Sequence, residues 1–276
     1  MTESTEQINR IARLFNSISD SYDAVGVDFF QPIAAGLVQS LDPSLGESWL
    51  DIGCGRGAIA EHAAVALGVS GKMLGFDISE KMIENAKAVA KRDNLANIEF
   101  IVDDAQFPQK IDSEFDVISS SLVLFFLPDP LSALQNWRPF LKDSGRLGIT
   151  TFGKYDSRWQ EIDQLFDEYL PPNTLDARTS GVQGCFGSDQ GMENLLSDAG
   201  YHDVKTVTKL LSVKFKTIDK WYEFSWSTGQ RGWWLQVPEE ERPALRAKVE
   251  THLMSSIQDD GSIIFNQEIR HTLAKK

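Results

Sequence analysis

Short apolar runs and helical stripes alternate over the first half of the chain. Trp49-Leu50-Asp51-Ile52 is an apolar strand that runs into Gly53-Cys54-Gly55-Arg56-Gly57, and Ala58 to Leu67 then opens a helix. Met73-Leu74-Gly75-Phe76 reads as a second strand ending at Asp77. Ser79 is placed to cap the next helix, in which Met82, Ile83, Ala86, Val89 and Ala90 share one face. Ile98 to Val102 is a third strand, running into Asp103-Asp104-Ala105. This alternation predicts an α/β protein. Upstream, Ile8, Ile11, Phe15, Ile18 and Tyr22 fall near one face of an N-terminal helix.

The second half is less regular. Trp159, Ile162, Leu165, Phe166 and Tyr169 recur at helical spacing, and Pro171-Pro172 would stop that helix. The segment from Asn173 to Gly191, polar and with four glycines, reads as a long loop or flap. Asp189 to Ala199 reads as a helix ended by Gly200, with a strand within 203–215 and a last one within 262–273. The stretch between these strands is too long for a hairpin and carries Trp221, Tyr222, Phe224, Trp226, Trp233 and Trp234. Most of these rings are expected to pack the insertion onto the core. Trp226 and Trp233, flanking Ser227-Thr228-Gly229-Gln230, are the ones expected to line a lid. From Glu239 onward, Leu245, Val249, Leu253 and Ile257 form the stripe of an amphipathic helix.

The glycine loop carries the chemistry. Gly53-x-Gly55-x-x-Ala58 satisfies the fingerprint in which a helix N-terminus receives a dinucleotide pyrophosphate. Asp51, two residues before the first glycine, points elsewhere. A carboxylate there would repel a pyrophosphate but attract the cationic amino group of S-adenosylmethionine (SAM), by ~1–4 kcal/mol at contact. Asp77 could accept both ribose hydroxyls of either cofactor and does not discriminate. Ile78 and Met82 lie where an adenine could rest, and a carboxylate of Asp103-Asp104 could accept its exocyclic amine. Cys54 is a loop position where a small side chain fits.

With these residues the sequence resembles the class I SAM-dependent methyltransferases, in the small-molecule branch that includes the ubiquinone and menaquinone C-methyltransferases. Asp51, Gly53, Gly55 and Gly57 match that family's first motif, Asp77 its ribose acid and Asp104-Ala105 its adenine motif. Phe115 to Leu122, containing Ser120 and Ser121, matches the fourth strand, and Lys142 to Ile149 the turn and fifth strand. Phe15 to Asp23 is similar to the family segment F-x-x-x-A-x-x-Y-D, with Ser19 in place of alanine, which implies that Tyr22 lies over the cofactor. The likeness covers residues 8–152 well and the remainder in outline. It implies SAM as cofactor, held by Tyr22, Asp51, Gly53, Cys54, Gly55, Asp77, Ile78, Met82, Asp104, Ala105, Ser120 and Ser121. It also implies a Rossmann-like, doubly wound, mostly parallel seven-stranded sheet in the order 3-2-1-4-5-7-6. The domains expected are an N-terminal helical cap over 1–40, the SAM-binding core over 41–216, an aromatic helical insertion or lid over 217–260, and the core's final strand over 261–276.

Composition narrows the partners. A formal charge of −13 and a pI near 4.8 disfavour nucleic acid and acidic membrane surfaces, since Lys and Arg form no basic footprint. That charge suits a neutral or cationic small molecule. No apolar run approaches the ~20 residues of a membrane span. The N-terminus lacks the layout of a signal peptide, so the cytoplasm is the expected compartment. Cys54 and Cys185 are expected to stay free, and no metal is expected, because no cluster has ligand spacing.

No catalytic residue is assigned. His62, His202, His252 and His271 each suit a helix, turn or strand role better than a base. Many members of the resembled family carry histidine at one or both positions of Phe125-Phe126, which here cannot move protons. Proximity to an activated methyl, acting on an already reactive amine, enolate or carbon nucleophile, or a base contributed from the second half of the chain, is then the expected catalysis. Phe125, Trp159, Trp226 and Trp233 are the substrate-binding candidates, for a hydrophobic, aromatic or polyketide-like molecule of quinone or secondary metabolism. The methylated atom stays open among O, N and C. Two other readings remain: a SAM-binding enzyme catalysing cyclisation or rearrangement without methyl transfer, and, disfavoured by Asp51, a dinucleotide oxidoreductase. The N-terminal helix and insertion could equally serve a homodimer.

Overall fold

The computed structural model describes residues 3–171 and 180–276. Its strands are β1 (Ser48–Ile52), β2 (Lys72–Asp77), β3 (Ile98–Val102), β4 (Phe115–Ser121), β5 (Leu141–Tyr155), β6 (His202–Phe215) and β7 (Ile263–Lys275). They form one sheet in the order β3-β2-β1-β4-β5-β7-β6. The first five pair in parallel, and β7 runs antiparallel between β5 and β6. β1 and β4 are covered on both faces and buried along most of their length, their polar Asp51, Ser119 and Ser120 included.

Alternate side chains enter opposite layers. Trp49 and Val117 face a core shared with α2 (Phe30–Leu41), α3 (Ala58–Leu67) and α4 (Glu80–Arg92). Leu50, Ile52 and Ile118 face the other, with α5 (Pro130–Trp137) and α7 (Asp189–Asp198). α2 therefore belongs to a core layer, burying Ile33, Ala34, Leu37, Val38 and Leu41. α1 (Glu3–Ile18) packs against α4 and against α9 (Arg231–Gln236).

Three features of the second half depart from the sequence reading or sharpen it. α6 (Ser157–Gln164) stops before Tyr169, because the N–H groups of Leu165, Phe166 and Asp167 bond three residues back. That tighter turn carries Phe166 onto Trp233 and Trp234. Of the expected flap, 172–179 lie outside the described residues, and two short 3-10 turns at Ser180–Val182 and Gly184–Gly187 lead into α7. The insertion comprises α8 (Ile218–Ser227), α9 and α10 (Arg242–Met254), with Trp221 and Trp234 fully buried. The α10 stripe ends at Leu253. Ile257 lies beyond the helix, exposed, in a bridge to Ile263. Among the described residues, no helix is long and apolar enough to cross a membrane.

Candidate active site

In an open parallel sheet a crevice forms at the carboxyl ends of the strands where their order reverses, here between β1 and β4. The N–H groups of Gly53 and Cys54 both donate to the Phe76 carbonyl, at 2.8 and 2.9 Å, tying the glycine loop to the end of β2. Asp77 completes the tie. One carboxylate oxygen accepts from the Gly55 N–H at 3.0 Å and the other from the Ser79 N–H at 2.9 Å. Gly55 has φ +52°, and a Cβ there would meet nothing within 4 Å, so open space lies in front of it. Gly53 serves packing instead, since a Cβ would lie 2.4 Å from the Val123 side chain.

Parallel register sets Asp51 beside Ser119. The Ser119 hydroxyl accepts from Trp49 Nε1 at 2.8 Å and donates to Asp51 Oδ1 at 2.6 Å. Asp51 Oδ2 is buried with no hydrogen-bond partner among the described residues. Burial, offset in part by the Ser119 bond and reinforced by the charge of Asp77, pushes the Asp51 pKa up to about 7. A buried, half-satisfied carboxylate fits a cationic N–H donor and rejects a pyrophosphate. Ser119 is absent from the candidates read from sequence; its role depends on a cross-strand register that no local motif encodes.

A cavity of about 710 Å³, its mouth included, opens from this loop. Tyr22, Gly53, Gly55, Asp77, Ile78, Met82, Asp104, Ala105 and Ser121 line it, together with Ile8, Ile11 and Phe15. Asp51 and Cys54 line a smaller adjoining recess that also reaches Tyr22 and Ser121. Burial, and then the charges of Asp77 and Asp51, push the Cys54 thiol up, so it stays protonated. The structure does not bring Ser120 to either space. Alternation along β4 turns it inward, where its hydroxyl donates to the Ile52 carbonyl at 2.9 Å. Of the paired acids, Asp103 is taken up by its own loop, accepting from the N–H groups of Asp104, Gln109 and Lys110, and Asp104 is the one on the cavity.

α1 covers this cavity and is latched by polar contacts. Arg56 Nη1 donates to the carbonyls of Ser19, Asp20 and Tyr22 at 3.2, 3.1 and 2.8 Å. Asn16 Oδ1 accepts from Ser79 Oγ at 2.7 Å, and Gln7 Nε2 donates to the Phe126 carbonyl at 3.2 Å. Burial, with the charges of Asp23 and Asp77, raises the Tyr22 phenol far above its ordinary pKa, which leaves it neutral.

A second cavity, about 650 Å³ with its mouth, shares Phe15, Tyr22, Leu122 and Phe126 with the first. Its other walls are Phe29, Phe30, Phe125, Phe152, Trp159, Phe224 and Trp233, and its polar part is Thr228, Gly229, Gln230 and Gln267. Phe125 stacks on Phe152 with centroids 5.8 Å apart. The structure thus brings Phe125, Trp159 and Trp233 together in one lining. Trp226 is not; it stacks on Trp234 at 5.8 Å, with the Arg231 guanidinium over its ring. The turn between Trp226 and Trp233 is buried, with Thr228 8% and Gln230 3% exposed, so it is a packed element and not a flexible one. Phe29, Phe30, Phe152 and Gln267 escape the sequence reading because they converge from separate elements.

None of the four histidines lines either cavity. His271 is buried with Nδ1 3.0 Å from Thr150 Oγ1, and burial pulls its pKa down to about 4. His62 bonds Gln31, His252 bonds the Lys248 carbonyl, and His202 lies exposed beside Asp203.

Fold and site together define a Rossmann-like enzyme of the SAM-binding class. Residues 44–214 match the methyltransferase domain family, and the chain belongs to that family. It is 27% identical over 246 residues to nocamycin O-methyltransferase of Saccharothrix syringae, spanning 86% of this chain and 88% of that one. It is 39% identical over 142 residues to aklanonic acid methyltransferase DauC of Streptomyces sp. strain C5, spanning 51% of this chain and 64% of DauC. The YcgJ protein of Bacillus subtilis shares the fold, with a TM-score of 0.55 and 16% identity over 88% of this chain and 98% of that one. The protein is a SAM-dependent methyltransferase.

Proposed function

We propose that this enzyme methylates an acidic oxygen, enol, phenol or carboxylate, of a hydrophobic aromatic or polyketide-like small molecule. The observation that carries the reading is the second cavity: it abuts the cofactor cavity at Tyr22 and Leu122, and among the described residues its lining has no histidine, lysine, glutamate or aspartate. When bound, SAM supplies a methyl group already activated by its sulfonium. Asp51 would hold the cofactor's ammonium, Asp77 its ribose hydroxyls, Ile78 and Met82 its adenine face and Asp104 the exocyclic amine. Gly53, Cys54, Gly55, Ala105 and Ser121 would border it, with Tyr22 over the methionine end.

With no such base among the described lining residues, the acceptor arrives ionised or ionises readily. An anion meeting a cation loses charge toward the transition state, so apolar walls such as Phe125 and Phe152 favour reaction by excluding water. The named acceptors of the relatives, nocamycin on oxygen and aklanonic acid, support an acidic oxygen. This departs from the neutral or cationic molecule that net charge suits, because that field is screened beyond about 10 Å. The charge of −13 still supports a partner other than nucleic acid, and the cytoplasm remains the compartment we propose.

The test is mass analysis of acceptors incubated with SAM, followed by pH–rate profiles. Addition of one CH2, with a kcat/KM profile that moves with the pKa of each acceptor, is the expected result. A profile fixed across acceptors would reveal an enzyme base and overturn the reading. In the same assay Phe125→His is expected to lower turnover, since it wets an apolar wall.

A further inference from the structure

We propose that Gln230 and Gln267 form a hydrogen-bond acceptor site in the aromatic cavity, which selects substrates carrying a hydroxyl or N–H group away from the methylated oxygen. This rests on the reading above, in which the substrate's acidic oxygen faces the cofactor. Both glutamines line the aromatic cavity and neither lines the cofactor cavity.

Gln230 is 3% exposed. Its Nε2 donates to Asp163 Oδ1 at 3.1 Å, and that bond sets which way the amide faces. The oxygen that remains, Oε1, is buried without a hydrogen-bond partner among the described residues. The backbone of Gln230 is held where α9 opens, its carbonyl accepting from the N–H groups of Trp233 and Trp234.

Gln267 has its amide nitrogen fixed by a different device. Phe152 pairs with Ile269 and Tyr155 with Gln267, so Gly153 and Lys154 oppose Glu268 alone and form a bulge. Gln267 Nε2 donates to the carbonyls of Gly153, Lys154 and Glu268 at 3.4, 3.4 and 3.0 Å. The Thr228 hydroxyl donates to the Ser225 carbonyl at 3.4 Å. Thr228, Gln230 and Gln267 therefore each direct a proton into the protein, and what they leave toward a ligand is acceptor lone pairs. A buried acceptor left without a partner is costly, so the complementary ligand brings a proton of its own. A ketone, ether or second carboxylate at that place brings none, and a site of this kind discriminates against such analogues strongly.

The experiment is calorimetric titration of the full-length protein, saturated with S-adenosylhomocysteine, with three probes: 6-hydroxy-2-naphthoic acid, 6-methoxy-2-naphthoic acid and 2-naphthoic acid. The hydroxy acid is expected to bind about tenfold more tightly than either of the others. In Gln230→Met, which keeps side-chain length and removes the amide, that advantage should vanish while S-adenosylhomocysteine affinity is retained. Equal binding of the hydroxy and unsubstituted acids overturns the inference and leaves the acidic-oxygen reading standing. An advantage that survives Gln230→Met overturns the assignment to Gln230. Failure of all three acids to bind overturns the acidic-oxygen reading and the inference with it. Should Gln230→Met not fold, the contrast among probes on the native protein still decides.

Discussion

Asp51 is an acid whose pKa of about 7 makes cofactor binding pH-dependent. Only its ionised form attracts an ammonium, and in the free protein that form is lost as pH falls through 7. S-adenosylhomocysteine affinity should therefore fall about tenfold from pH 8 to pH 6, with proton release on binding near neutrality. Burial raises Asp77 too and pushes Asp23 to about 6, both in the same direction, so the decisive comparison is Asp51→Asn. This variant should bind more weakly by ~1–3 kcal/mol at pH 8 and lose most of the pH slope in calorimetry. Gly55→Val should abolish binding altogether, because the side chain would fill open cavity from a backbone at φ +52°. Asp51, Gly55 and Asp77 were legible in the sequence because each belongs to one strand–loop–helix unit. The inward turn of Ser120 and the partnership of Ser119 with Asp51 were not, since facing and register depend on the neighbouring strand.

α1 is held chiefly by polar latches, and its Ile8, Ile11 and Phe15 are half-buried against the cofactor cavity. A bound cofactor would complete their burial, so hydrogen exchange in α1 should slow when S-adenosylhomocysteine is added. Arg56→Ala removes three bonds to the turn after α1 and should weaken the ligand by roughly 1–2 kcal/mol, with faster exchange over residues 18–24. Equal protection of α1 with and without ligand would mean that the helix is packing alone. The insertion behaves differently. Trp234, wedged between Phe166 and Trp226 with its Nε1 donating to Ser225 Oγ, is core and not lid. The central strands and their helices could be read from periodicity because each buries a regular face. The partition of the insertion's rings between core and cavity could not, because identical tryptophans at helical spacing carry no label for what lies opposite.

At the scale of the molecule, the site makes the free enzyme less stable as pH rises through neutrality. The folded Asp51 pKa is raised, so the folded state holds a proton that the unfolded chain has already released, and stability falls as pH climbs through about 7. His271, pulled down to about 4, acts oppositely, and its effect is spent only above about pH 7.5, since at its ordinary value of 6.5 the unfolded chain is still half-protonated. The ion-paired Asp116, held down at about 2 by Lys142 and Ser48 against its own desolvation, acts only in acid. Between pH 6.5 and 8 Asp51 therefore outweighs His271, leaving a net loss of about 0.5 kcal/mol, which corresponds to a Tm lower by about 1 °C at the higher pH. Ligand that neutralises the buried charge reverses the trend, so saturating S-adenosylhomocysteine should raise the Tm more at pH 8 than at pH 6.5. Asp51→Asn should flatten both dependences in the same melting experiment. A native Tm constant over this range, with one ligand-induced shift throughout, would mean that Asp51 is already ionised in the free enzyme and that its open oxygen is satisfied by solvent before the cofactor arrives.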